Sequence, residues 1–254
     1  QGYSSAASDV YKRQVIANSC NDGMMQIAAK MGKDNFLKTQ SVFNFGTRTG
    51  IDLPNEGSGV IHTSDTMGET ELACSAFGQG YTLTMIQEIN AMCSVINGGY
   101  YYQPHLVTKI KDSSGGIVKT ISPTLMKQTI SEKISADIRS YMAASVDHGT
   151  SRTSKVQGYS SGGKTGTAEK LPRGNGKYLV SFIGYVPQEN PQMDSDQQEN
   201  AGEKTSDATP LGKTDPKEDE WKEHAKRIES DMETYAKDAA ADAGKLCLLY
   251  TSDA

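Results

Sequence analysis

The chain has 254 residues, 36% hydrophobic and 22% charged, with a net charge of −5 at pH 7. That length supports one or two domains with a real core, and the acidic balance offers no basic footprint for a phosphate backbone, which excludes nucleic acid as a partner. No apolar run is long enough to span a bilayer and no signal peptide opens the chain, so any membrane anchor of the parent protein is expected upstream of Gln1. The four cysteines (Cys20, Cys74, Cys93, Cys247) have neither CxxC spacing nor histidine neighbours, so buried free thiols are expected, with no metal and no cofactor.

In chain order, residues 4–14 (SSAASDVYKRQ) belong with residues 247–254 (CLLYTSDA). Residues 9–14 can be encoded as GAT GTG TAT AAG AGA CAG, whose reverse complement, read one base on, encodes Cys-Leu-Leu-Tyr-Thr. Both ends resemble translated sequencing adapter. Segments 1–14 and 247–254 are therefore set apart, expected to be disordered and to pack against nothing, which leaves 15–246 as the natural fragment. After Ser19-Cys20-Asn21, a helical pattern places Met24, Ile27, Ala28 and Met31 on one face and is closed by Gly32; a second helix, begun by Asp34, carries Phe36, Leu37 and Phe43. Residues 46–59 read as loop, with turn chemistry at Pro54-Asn55-Glu56-Gly57. Thr82 or Thr84 caps the clearest helix, whose stripe of Leu83, Ile86, Ile89, Cys93 and Ile96 is expected to face the core and ends at Gly98-Gly99. Residues 106–111 and 117–120 alternate apolar and polar around Ser113-Ser114-Gly115-Gly116, a hairpin signature. Ser131 opens a helix through Ile134, Ile138, Met142 and Val146. Residues 163–169 and 178–186 read as strands joined by the turn Pro172-Arg173-Gly174-Asn175-Gly176. The expected fold class is α/β of the α+β type, an antiparallel sheet flanked by helices. From Pro191 the composition changes: residues 191–246 hold 15 acidic and 8 basic residues, a net of −7, leaving +2 on the rest. Residues 188–246 read as an acidic linker, disordered over 192–216, followed by one amphipathic helix carrying Trp221, Ala225, Ile228, Met232, Tyr235 and Ala239.

The string Lys164-Thr165-Gly166-Thr167 falls on a strand with an apolar hairpin partner, and Ser19-Cys20-Asn21 immediately precedes a helix. These are the K-T-G and S-x-N members of the set that, with S-x-x-K, marks penicillin-binding proteins and class A β-lactamases. Thr49-Gly50-Ile51-Asp52-Leu53-Pro54, Ala76-Phe77-Gly78-Gln79-Gly80, Asn97-Gly98-Gly99 with Pro104, and residues 158–170 (GYSSGGKTGTAEK) follow in the usual order. On these residues, residues 15–187 resemble the C-terminal part of the transpeptidase domain of a class B penicillin-binding protein, a serine D,D-transpeptidase that cross-links peptidoglycan. The resemblance implies a penicillin-binding-protein/β-lactamase-like fold and a site at the extracytoplasmic face of the bacterial membrane. It also implies D-alanyl-D-alanine stem peptides and β-lactams as ligands, and other cell-wall synthesis proteins as partners of the parent. Acyl transfer needs a nucleophile, a proton carrier, oxyanion donors and a cationic anchor for the terminal carboxylate. By resemblance, Ser19 relays a proton to the leaving group and Asn21 orients the peptide amide. Lys164, Thr165 and Thr167 bind the carboxylate, and the Thr167 N–H is one oxyanion donor. Gly166 lets the substrate lie against the strand edge. The five residues Ser19, Asn21, Lys164, Thr165 and Thr167 are expected in one cleft.

Two departures stand out. The S-x-x-K tetrad belongs ahead of Ser19, yet Ser161-Gly162-Gly163-Lys164 is the only such string, it starts a strand, and its lysine is already that of K-T-G. The nucleophile is therefore expected to be missing and the fragment inactive alone. After Pro187 the family continues with an apolar strand beside 178–186, which residues 192–197 (QMDSDQ) cannot form. Among rival readings, residues 158–165 satisfy the P-loop pattern G-x-x-x-x-G-K-T, but no apolar strand precedes them and Pro172, Gly174 and Gly176 prevent a helix after them. A serine β-lactamase or β-lactam sensor would share the fold, and Glu56 and Glu69 are loop carboxylates without distinctive context for a deacylating base. A protein acting through its acidic tail would rely on Trp221 as its anchor.

Overall fold

A computed structural model describes residues 5–155, 157–170, 172, 174–188 and 246–253. The chain divides into two units, Gln1–Ser19 with Ser140–Ala254, and Cys20–Arg139. Both mix helices with small antiparallel sheets, so the architecture is α/β as expected.

Helix α1 (Ser5–Ala17) departs from the expectation that residues 1–14 lack structure. Its C-terminal turn is anchored by buried Val15 and Ala17, and the alanines, Lys12, Arg13 and Gln14 before them are good helix formers, so the anchored turn propagates backward.

In the Cys20–Arg139 unit, α2 (Asn21–Met31) starts at Cys20, whose Sγ accepts from the Gly23 N–H at 3.5 Å, and ends at Gly32 with φ +77°. Gly32 also precedes α3 (Lys33–Val42), so Asp34 lies inside the first turn of that helix instead of before it. Helix α4 (Glu69–Ala76) was not anticipated, because two turns carry too few residues to show a period. The choice of cap for α5 (Met85–Ile96) falls to Thr84, in a capping box with Gln87; Thr82 instead makes a bridge with Val60. The buried face of α5 is Gln87, Ala91, Ser94 and Ile96, so Leu83, Ile86, Ile89 and Cys93 are less buried than their apolar stripe implied. Partnered polar groups take the inner face. Gln87 Nε2 donates to the carbonyls of Thr47 (2.6 Å) and Ser58 (2.9 Å), holding the 46–59 loop from inside.

Strand β1 (Tyr100–Gln103) follows, then the hairpin of β2 (Lys109–Lys111) and β3 (Ile117–Thr120), then β4 (Thr124–Gln128). The β2–β3 pairing is as expected; its turn is tied by Asp112 Oδ1, which accepts from Ser114 N, Ser114 Oγ and Gly116 N. The β1–β4 pair was missed, since β1 is an aromatic run without alternation and β4 is five residues, all but one exposed. Among the described side chains, Cys20 is exposed and Cys74 and Cys93 are half-buried, so the expected burial is not seen for these three.

Helix α6 (Glu132–His148) begins after Ser131, whose Oγ accepts from the Ile134 N–H at 3.3 Å, and the unit boundary falls inside it. A 3-10 turn at Arg152–Ser154 leads to β5 (Gly162–Glu169) and β6 (Tyr178–Val186), which pair antiparallel in full register. An added Cβ at Gly162 or Gly163 would strike the rings of Tyr185 or Phe182, both buried, which explains the paired glycines before Lys164. Strand β7 (Leu246–Asp253) pairs antiparallel with the far edge of β6, from Val186↔Leu246 to Leu179↔Asp253. The tail therefore does not stand free, and the place next to β6 is taken by an apolar string from the chain's end. A strand with unpaired N–H and C=O groups recruits any segment of strand-forming composition. The expected acidic linker and amphipathic helix lie outside the described residues.

Candidate active site

Ser19 stands where the chain leaves α1. Its N–H donates to Ile16 O at 3.2 Å and its φ is +53°, the left-handed conformation that helix ends usually give to glycine. Its exposed side chain meets β5. There the Lys164 Nζ donates to Ser19 Oγ at 2.8 Å and to the Thr165 carbonyl at 2.7 Å, joining residues 145 positions apart within one unit. Lys164 is half-buried, and burial pushes its amine below the ordinary lysine value of 10.5. An ammonium that donates to a hydroxyl oxygen keeps that hydroxyl polarised and can replace the proton it hands to another group.

Thr165 and Thr167 alternate with Lys164 and so occupy the other face of β5. Thr165 Oγ1 lies 3.2 Å from Thr150 Oγ1, and Thr167 is exposed. Within the sheet ordered β5-β6-β7, β5 is an edge strand. The Thr165 carbonyl, engaged by Lys164, points to the side away from β6. Because N–H and C=O of one residue point the same way in an antiparallel strand and the direction repeats every second residue, the Thr167 N–H also faces that edge. At Gly166 an added Cβ would lie 2.5 Å from Ser181 Oγ on β6, so this glycine makes room for a neighbour inside the sheet. Asn21, the exposed first residue of α2, belongs to the Cys20–Arg139 unit.

The sequence reading missed Gly149 and Thr150. Gly149 follows α6 directly and no Cβ fits there, because it would run into the Ala17 carbonyl. The Thr150 N–H donates to that same carbonyl at 3.0 Å. A glycine closing a helix was a legible cap signal, but nothing marked the threonine after it.

The rival readings now meet the geometry. Gly163-Lys164-Thr165 lies within an eight-residue strand, not in a loop opening a helix, which removes the P-loop. Glu56 does have a distinctive context. Its Oε1 accepts from Thr49 N and Oγ1, both at 2.6 Å, and its Oε2 from Gly50 N at 3.0 Å, so it ties the 49–56 loop. Glu69 opens α4. Among the described residues no group of acidic, histidine or cysteine side chains is placed to hold a metal ion, and no helix is long and apolar enough to cross a membrane.

The chain is a mix of helices and small antiparallel sheets, with the Ser19–Lys164 contact on an edge strand. The chain matches the penicillin binding protein transpeptidase domain over residues 3–210 and belongs to that family. It is 41% identical over 186 residues to stage V sporulation protein D of Bacillus subtilis, covering 71% of this chain and 28% of that protein. It is 27% identical over 215 residues to penicillin-binding protein PbpB of Mycolicibacterium smegmatis, covering 78% and 33%. Among solved structures it resembles penicillin binding protein 3 of Mycobacterium tuberculosis complexed with aztreonam, with a TM-score of 0.65, 26% identity and coverage of 71% of this chain and 43% of that one. The chain thus spans about a third or less of the length of these two relatives.

Proposed function

We propose that this chain carries the proton-relay and carboxylate-binding part of a serine D,D-transpeptidase, which cross-links peptidoglycan stem peptides through an acyl-enzyme and binds β-lactams. The observation that carries the proposal is the 2.8 Å contact of Lys164 Nζ with Ser19 Oγ. In this reading a serine hydroxyl attacks the penultimate D-alanine carbonyl, the C–N bond breaks as the acyl-enzyme forms, and the proton the serine gives up passes through Ser19 to the leaving D-alanine amine. Lys164 keeps Ser19 hydrogen-bonded and supplies positive charge beside the terminal carboxylate. The Thr165 and Thr167 hydroxyls bind that carboxylate, the Thr167 N–H on the open edge of β5 faces the oxyanion, and Asn21 orients the peptide amide. The work takes place at the extracytoplasmic face of the cell membrane, where the parent associates with other cell-wall synthesis proteins.

The attacking serine is not among these 254 residues. Ser161, the serine of the lone S-x-x-K string, immediately precedes β5, and its lysine is already engaged by Ser19 and the Thr165 carbonyl. The test is labelling with a fluorescent penicillin. This chain is expected to stay unlabelled, and a longer product that includes a Ser-x-x-Lys helix is expected to label and to lose the label with Lys164→Ala. Stoichiometric labelling of a serine within this chain would overturn the proposal, as would full labelling of the Lys164→Ala product. The β-lactamase alternative gains nothing from the structure, since Glu56 is consumed by loop hydrogen bonds.

A further inference from the structure

Ser19 and the Thr165 hydroxyl have different neighbours, yet one residue touches the supports of both. The Thr150 N–H donates to Ala17 O at 3.0 Å, two residues before Ser19, while its Oγ1 lies 3.2 Å from Thr165 Oγ1. We propose that Thr150 is a positioning residue of this site: its backbone holds the end of α1 that presents Ser19 to Lys164, and its hydroxyl orients the Thr165 hydroxyl toward a substrate carboxylate. The second half rests on the reading of Thr165 as a carboxylate anchor.

The loop that carries Thr150 is tied by its own buried hydrogen bonds. Ser145, Ser151 and Ser154 are at most 2% exposed. Ser145 Oγ meets Ser151 Oγ at 2.9 Å, the Ser151 N–H donates to Ser145 O at 3.1 Å, and Ser154 Oγ donates to Ser151 O at 2.7 Å. The Gly149 N–H donates to Ser145 O at 3.0 Å, and the missing Cβ at Gly149 lets the loop press against the Ala17 carbonyl. Thr150 itself is exposed, so its hydroxyl serves no buried network. Two facing hydroxyls share one proton between them. If Thr150 donates to Thr165 Oγ1, the Thr165 proton is left for an acceptor that has none of its own, as a carboxylate does. The rotamer of Thr165 is thereby fixed before a ligand arrives, which lowers the entropy lost on binding.

The experiment uses this chain with 13C-labelled threonine methyl groups, comparing Thr150→Val, which keeps the shape and the backbone N–H, with Thr150→Ser, which keeps the hydroxyl. Three-bond couplings of the Thr165 methyl report its rotamer, and amide shifts along β5 report binding of N-acetyl-D-alanyl-D-alanine. Wild type and Thr150→Ser should show one Thr165 rotamer. Thr150→Val should show rotamer averaging and an affinity about fivefold weaker, the worth of one neutral hydrogen bond, with the thermal midpoint near that of wild type. The reciprocal Thr165→Val, read at the Thr150 methyl, gives the same comparison from the strand side if Thr150→Val does not fold. A single unchanged Thr165 rotamer or an unchanged affinity in Thr150→Val, or a Thr150→Ser that behaves like Thr150→Val, overturns the role of Thr150. Absence of dipeptide binding by wild type counts against the carboxylate-anchor reading, and the rotamer comparison still decides Thr150.

Discussion

Lys164 is held half-buried with its amine on Ser19, and burial lowers its proton affinity. The consequence for stability has a definite sign. Between the folded value and 10.5 the unfolded chain holds one proton more than the folded chain at this site, so stability rises with pH through that window. Below the window the cost of burying the ammonium is fully present. Thermal midpoints of wild type minus Lys164→Met should therefore climb as pH approaches 10.5 from below, and a flat difference would mean that the amine is not desolvated. Ser19 shows the other cost of the site. A serine at φ +53° occupies a glycine's conformation, so Ser19→Gly should be more stable than Ser19→Ala by about 1 kcal/mol, although both lose the Lys164 contact. Denaturant titrations of the two variants measure the difference. Equal stabilities would show that this backbone is unstrained.

The elements that place these residues owe their positions to close approaches. β5 lies tight against β6 because Gly162 and Gly163 leave room for the Tyr185 and Phe182 rings, and α1 meets the end of α6 because Gly149 leaves room for the Ala17 carbonyl. The far edge of β6 shows what happens where no such specificity is written. The ladder from Val186↔Leu246 to Leu179↔Asp253 is made by a terminal string of strand-forming composition. Amides of 246–253 that bond to β6 should exchange slowly, and deleting that stretch should accelerate exchange along β6 and expose an edge that promotes association. Fast exchange throughout 246–253 would remove β7 from the fold.

For the whole molecule, the two units have different burdens. The Ser140–Ala254 unit, with Gln1–Ser19, holds the Ser19–Lys164 contact, Thr165 and Thr150, while the Cys20–Arg139 unit holds Asn21 and the loop secured by Glu56 and Gln87. On the proposed reading, in which this chain supplies a proton carrier and a carboxylate anchor and the attacking hydroxyl lies elsewhere in the parent, the chain should recognise without reacting. Non-covalent dipeptide binding together with absent penicillin labelling is the signature of that state.

How much was legible beforehand differs by residue. The K-T-G string, the S-x-N string, the Gly32 stop, the Ser131 start, the β2–β3 hairpin and the β5–β6 pair were written in local chemistry, because caps, turns and alternation act over a few residues. Local signals failed where partners are distant. Thr84 prevailed over Thr82 because Thr82 is bridged to Val60, and the inner face of α5 became Gln87, Ala91 and Ser94 because Gln87 finds carbonyls at Thr47 and Ser58, 40 and 29 positions away. Thr150 had no mark at all, since its partners Ala17 and Thr165 lie far apart in the chain. The sequence by itself determined the family, the short-range elements and the chemical identity of the site's side chains. Only the tertiary structure decided that Thr150 backs Thr165 and that a terminal strand completes the sheet, because hydrogen bonds between distant segments depend on packing that no local pattern encodes.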